Sequence, residues 1–438
     1  MIPRCYDSHV HIKETGELLS ALKLFDLRSP FQVKDLSVLP QHFRGDWLVG
    51  FGWDDTKWES KSFPDRNVLD QYFPNHPVAF SRRDGHALWV NTTALKKAGL
   101  FVPKEGMGFQ NFLPSEIQFG QDGYPNGILL EGARNPIEKL LPAWTDVQTK
   151  DFILRGLDLF WKRGFTHLRE MMASRRIWEI YCQLEESQEL KSFIDVNFHI
   201  STVGELEDYL NWIKTERQKP RRHLRPLGIK IFIDGALGSE GALLSRNYSG
   251  SNKSGIQLWQ LDEIEKVFDG CMRAGIELAV HVIGDHASHL IADVAKRRLL
   301  KGSWKPGFLL NLEHCELMST EDIVSLSGLP VICHLQPCHW LSDRHWLDQK
   351  LGGLARLAFP WARLEKHKVE FRFGSDSPIE EPSLISNFQA LQLSQDMGIA
   401  PITGKFEDYH SHPDETWGKG YFTEMEDTGE TRVMFIEN

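Results

Sequence analysis

The sequence is missing the marks of several protein classes. No apolar run reaches the length of a membrane helix, and the opening residues MIPRCYDSHVHI lack the apolar core of a signal peptide. No stretch is rich in lysine and arginine, and the formal net charge is −10, which argues against nucleic acid or an anionic membrane as a partner. The six cysteines (Cys5, Cys182, Cys271, Cys315, Cys333 and Cys338) include no CxxC pair. Scattered in this way they read as reduced thiols and not as a disulfide framework. Low-complexity segments and short tandem repeats are absent. These absences together predict a cytoplasmic protein.

What is present is ordinary globular chemistry on a large scale. The 438 residues, 41% hydrophobic and 25% charged, can bury a sizeable core and suit a large α/β barrel with additions. Eight strand-like apolar runs recur, at 6–12, 165–171, 192–200, 228–234, 276–283, 308–314, 330–336 and 369–376. From the second onward, most gaps hold a helix-like segment, such as 151–164, 205–219 and 261–275, with apolar residues at helical spacing. Strands alternating with helices predict a parallel sheet, and eight such units predict a closed (β/α)8 barrel, the TIM-barrel architecture.

The first gap, 13–150, is too long for one crossover. It holds a strand-like run at 77–84 and concentrates tryptophan (Trp47, Trp53, Trp58, Trp89 and Trp144). It reads as a subdomain inserted after strand 1, forming a pocket wall or lid over the C-terminal face where barrel enzymes keep their sites. The expected division is a barrel from 1–12 and 151–399, an insert over 13–150, and a polar, turn-rich tail over 400–438.

Polar residues at the strand ends form an ordered set. Strand 1 offers His9 and His11, two apart and so on one face. In strand 4, Lys230 shares its face with Phe232 and Asp234, while Ile229, Ile231 and Ile233 take the other. The isoleucines suit the layer against the helices, which turns Lys230 into the barrel. Strand 5 ends near His281, strand 6 at His314 and strand 8 at Asp376. Buried together, such groups are costly without a strong ligand. Imidazole and carboxylate are ligands of zinc and similar divalent ions, and two metals could share this many. Each item alone has a plainer reading: a core histidine, an edge lysine in a salt bridge, a helix cap at "SDSP". Their common position predicts a metal site.

In this order the residues resemble the amidohydrolase superfamily. The stretches "DSHVHI", "RRDGHALWVNTTALKKAGL", "GILLEGA", "KIFIDGALGSEGALL", "VHVIGDHA", "LEHCEL", "LQPCHW" and "GSDSPIEEP" resemble its amidohydrolase 3 branch, which includes N-substituted formamide deformylases. The resemblance implies a binuclear site, with His9, His11 and Asp376 on one metal and His281 and His314 on the other. Lys230 would bridge them as a carbamate formed with CO2, or remain an unmodified lysine salt-bridged nearby. Zinc is the expected metal, with manganese or iron as alternatives. Family members carry an N-terminal segment of a small β-sandwich that this sequence lacks, so a sandwich is expected to be absent or vestigial. A homodimer is the assembly considered.

The expected activity is hydrolysis of a C–N amide bond in a small N-acyl or N-formyl amine. Metal-activated hydroxide attacks, and Asp376 takes its proton and passes it to the departing amine. The alternative is a hydrolytic deaminase, or a lactone or phosphoester hydrolase, on the same scaffold. Asp234, Asp285 and Glu313 are candidates to orient an imidazole N–H, or else loop caps and structural ion pairs. Asp84, His86, Trp89 and Asn91, with Trp53, are substrate-side candidates; the tryptophans can equally form the insert's own core, and Asp84–Gly85 a turn.

Overall fold

The computed structural model describes residues 5–59, 63–83, 87–108 and 114–396, together with His410 and strand pieces at 2–3, 421–422, 424–425 and 431–432. The chain divides into two compact units, Met1–Thr15 with Ile153–Asn438, and Gly16–Phe152.

The first unit is a barrel. Its strands are β1 (Cys5–Val10), β2 (Phe165–Ala173), β3 (Phe193–His199), β4 (Leu224–Phe232), β5 (Glu277–Val282), β6 (Leu310–His314), β7 (Val331–Leu335) and β8 (Glu370–Phe373). They pair in sequence order and all in parallel. The ring closes through a bridge between Val10 and Ser377, flanked by backbone bonds from Asp376 N to His9 O (2.8 Å) and His11 N to Ser377 O (2.9 Å). Gly374 permits this approach: a Cβ there would lie 2.7 Å from the His9 nitrogen. The fold is a (β/α)8 TIM barrel.

Every expected strand stretch overlaps one of these strands. β4 begins four residues earlier than its apolar run suggests, at Leu224. The polar "LRP" hid it, because Arg225 is spent on a partly buried ion pair with Asp195 (2.7 Å) in β3. Ile229, Ile231 and Ile233 join the core shared with Ile264, Val267 and Phe268 of the helix Leu261–Ala274, and Lys230 on the opposite face is fully buried. That helix stops at Gly275, whose φ of 64° is left-handed and natural to glycine.

The second unit is built on a seven-stranded mixed sheet. Along Ala87–Val90 the side chains alternate: Ala87 and Trp89 enter one apolar cluster, Leu88 and Val90 the other. Trp53, Trp58 and Trp89 pack as a trio with ring centroids 5.9–6.3 Å apart. Each indole N–H reaches a backbone carbonyl, Phe80, Leu27 and Asp65 in turn.

Of the expected tail, the described pieces are Tyr421–Phe422, paired antiparallel with Ile2–Pro3, Glu424–Met425 paired with Thr431–Arg432, and a buried His410 whose carbonyl accepts from Tyr6 N at 2.7 Å. The rest of the tail, and with it the expected sandwich remnant, lies outside the described residues. Among the described residues no helix is long and apolar enough to cross a membrane. The six cysteines are buried and form no disulfide.

Candidate active site

β1 delivers His9 and His11 to the C-terminal end of the barrel, where the β1–β8 closure brings them to Asp376. His11 Nε2 lies 3.1 Å and His9 Nε2 3.3 Å from the same carboxylate oxygen, Asp376 Oδ1. The other oxygen, Oδ2, faces His339 Nε2 at 3.6 Å and His314 Nδ1 at 3.9 Å. One buried carboxylate therefore stands between two pairs of imidazoles. Three residues here hold left-handed backbone that side chains rarely adopt: His314 (φ 71°), Cys315 (48°) and Asp376 (56°). Strain of this kind concentrates at functional sites.

The supports are buried too. Glu313 Oε2 holds His9 Nδ1 at 2.7 Å, and its Oε1 accepts from Arg169 Nη1 at 2.9 Å. Asp7 Oδ1 accepts from the backbone N–H of His9 and of Ser375, tying β1 to the segment that carries Asp376. Asp234 accepts three backbone N–H groups, from Leu243, Ile283 and Gly284, and so joins the loops that follow β4 and β5. Its Oδ1 is 3.7 Å from His281 Nε2. Asp285 does not reach an imidazole; it accepts from the backbone N–H of Ser245 at 3.0 Å.

Several buried polar atoms have no hydrogen-bond partner: Lys230 Nζ, both ring nitrogens of His281, His339 Nε2 and Glu316 Oε2. Each such atom costs about 1–3 kcal/mol, so a cluster at one barrel end calls for a ligand. Imidazole nitrogens and carboxylate oxygen are donors that suit a divalent cation. Donor atoms of His9, His11 and Asp376 lie within 4.8 Å of one another, as do those of His314, His339 and Asp376. The residues fit a metal centre.

At His281, His314 and Asp376 the electrostatics match that use, since metals take neutral imidazole and ionised carboxylate. Burial, with Lys230 nearby, lowers His281 to about 3, and burial with His281 and His9 holds His314 well below the usual histidine range. Burial opposes ionisation of Asp376, but His9, His11 and His314 outweigh it and hold its carboxyl well below normal. Burial also lowers Lys230 to about 8, with Glu313 opposing. For His339 burial is outweighed by Glu316 and Asp376, which push it up to about 9. Burial, then the Glu316 carboxylate, raises Asp343 to about 7.

A cavity of about 510 Å³ in the barrel unit opens onto these groups, lined by His9, His11, His281, His314, His339 and Asp376, with apolar surface from residues such as Phe232 and Ile283. The lining residues that escaped the sequence reading include His339 and Glu316. His339 sits on the helix Pro337–Asp343 and not at a strand end, so no strand periodicity marks it. Its Nδ1 is 3.2 Å from Glu316 Oε1. The available signal was the pair of blocks "LEHCEL" and "LQPCHW", each carrying a polar residue shortly after a strand.

The insert's candidates divide. Trp53 and Trp89 are fully buried in the insert's own core, with their N–H groups satisfied. Asn91 caps the helix Thr92–Lys97, accepting from Ala94 N at 2.9 Å, and donates to the carbonyl of His76 at 2.8 Å. Their side chains are spent on holding the insert together. Asp84 and His86 lie outside the described residues.

Comparison with known proteins agrees with this architecture. The model of the amidohydrolase family matches residues 1–421. YtcJ of Bacillus subtilis (strain 168) is 26% identical over 404 residues, covering 90% of this chain and 73% of its own. The N-substituted formamide deformylase of Arthrobacter pascens is 23% identical over 305 residues, covering 65% of this chain and 53% of its own. Among solved structures, an uncharacterized metal-dependent hydrolase from Pyrococcus furiosus superposes with a TM-score of 0.70 at 24% identity, covering 89% of this chain and 76% of that one.

Proposed function

The chain belongs to the amidohydrolase family, and on that premise we propose that this enzyme hydrolyses the C–N amide bond of a small N-acyl or N-formyl amine. The observation that carries the proposal is the Asp376 carboxylate, set between His9 and His11 on one oxygen and His314 and His339 on the other.

In this reading His9, His11 and Asp376 would hold one divalent ion, and His281 and His314 a second. Lys230 would serve as a further ligand as a carbamate, formed when its neutral amine adds CO2 and loses a proton. The orphaned Nζ and a pKa of about 8 support that chemistry. Zinc is the ion that best suits the donor set. When bound, such ions supply Lewis acidity and a water acidic enough to attack near neutral pH.

The remaining work falls to the chain's own groups. Asp376 takes the attacking water's proton on a carboxylate oxygen and delivers it to the nitrogen of the departing amine. Glu313 fixes the ring of His9 through Nδ1, and Arg169 holds Glu313 ionised. The apolar lining excludes water from the reacting carbonyl and favours a hydrocarbon substituent.

The test is a panel of N-formyl and N-acyl amines, a lactone and a phosphoester, assayed with zinc-loaded protein and with Asp376→Asn. Amide turnover lost by at least 100-fold in Asp376→Asn supports the proposal, in line with the usual size of acid–base catalysis. Turnover of the lactone or phosphoester with none of any amide overturns it.

A further inference from the structure

Apart from its histidines, the charged groups that line the barrel cavity are of one sign. Among the described residues Glu14, Glu316, Asp343, Asp376 and Glu380 line it, and no lysine or arginine does. Asp376 belongs to the reaction centre. Glu14, about half exposed, sits at the margin with Lys13 Nζ 3.6 Å away. Glu380 accepts a hydrogen bond from Ser342. Glu316 is different, because it is 4% exposed and only one of its oxygens is used. Oε1 binds His339, while Oε2 is buried with no hydrogen-bond partner, in a residue that lines the cavity. Asp343 lies four residues after His339 on the same helix, and therefore on the same helical face. A buried carboxylate oxygen without a donor is costly. An N–H donor from a ligand removes that cost, and a cationic donor does so best.

We propose that the amide hydrolysed at this site carries a protonated amine on a short alkyl spacer, received by Glu316 Oε2 and Asp343. The inference rests on the amide reading above and names its substrate class. His339 separates Glu316 from Asp376, so the cation binds one imidazole's width beyond the reacting carbonyl. The apolar surface from Phe232 and Ile283 covers the spacer. An amide bearing a free carboxylate instead meets a like-charged wall, which disfavours it.

Three matched probes test this: mono-formyl pentanediamine, formyl pentylamine and formyl aminopentanoate, which are cationic, neutral and anionic at the same length. They are assayed with the metal-loaded full chain. The expected order of kcat/KM is cationic over neutral by at least tenfold, with the anionic probe last. Asp343→Asn and Glu316→Gln are each expected to raise KM for the cationic probe more than for the neutral one, and added salt to narrow the gap. A purely structural role for either carboxylate would depress all probes alike, and that result overturns the inference. Equal or better turnover of the neutral or anionic probe overturns it too, while leaving amide hydrolysis intact. Hydrolysis of none of the three removes the amide reading itself, and this inference with it.

Discussion

Replacing Glu313 by glutamine removes one charge from a buried line that runs from His9 through Glu313 to Arg169. Glu313 and Arg169 are each no more than 1% exposed and lie 2.9 Å apart. Glutamine keeps the volume and still offers His9 Nδ1 its amide oxygen, which turns the amide N–H2 toward Arg169, so the change removes the charge and the hydrogen bond to Arg169 together. Arg169 is then left buried without its counter-ion, and breaking a buried pair from one side costs about 3–5 kcal/mol. A partner of a metal ligand contributes roughly 10–100-fold in metal affinity. Because glutamine preserves the hydrogen bond to His9, the expected loss is near tenfold. Denaturant unfolding of metal-free protein measures the first quantity, and zinc competition with a chelator the second. Arg169→Met in the Glu313→Gln background is expected to recover most of the stability, since the orphaned charge is gone, but not the metal affinity. Stability within about 0.5 kcal/mol of the parent, the size of an ordinary surface substitution, together with unchanged zinc affinity, would refute the reasoning.

Three further outcomes are expected. Trp89→Ala empties the centre of the insert's tryptophan trio, where Trp89 is fully buried; a loss of about 3–5 kcal/mol should appear in denaturant melts. Gly284→Ala places a Cβ 1.9 Å from the Leu243 carbonyl, at the loop junction held by Asp234; a drop of at least 1–3 kcal/mol, read as a lowered Tm, is expected from such overpacking. Burial lowers His410 to about 4 from 6.5, so the folded state holds it neutral. Its contribution, roughly 3 kcal/mol, is whole above pH 6.5. It is lost as pH falls from 6.5 through 4, because the unfolded chain takes up the proton first. Asp7 and Asp234, raised to about 7 by burial, act in the opposite sense but are common to both proteins. The stability difference between the parent and His410→Gln should therefore shrink across that window, and a difference independent of pH would count against the buried placement.

Strand identity was legible wherever one face met the helices, as in Ile229, Ile231 and Ile233 alternating with Lys230. It was obscured at the start of β4, where Arg225, paired with Asp195 of β3, does not look apolar in the sequence. The HxH pair and Asp376 were legible because barrel closure forces the ends of β1 and β8 together. His339 was not, since it comes from a helix after β7 and reaches the centre only through tertiary packing. Glu316 stands two residues beyond His314 and acquires meaning only when His339 arrives beside it. The tryptophans of the insert admitted two readings in the sequence. In the structure, saturated N–H groups and full burial make Trp53 and Trp89 the centre of a core.

The most direct test of the metal centre is anomalous X-ray diffraction from crystals grown with zinc and bicarbonate. Two anomalous peaks are expected, one among His9, His11 and Asp376 and one at His281 and His314, with continuous density extending from Lys230 Nζ. Crystals that show no anomalous peak at these residues, with zinc, manganese or iron supplied in excess, would contradict the assignment of these residues as a metal centre.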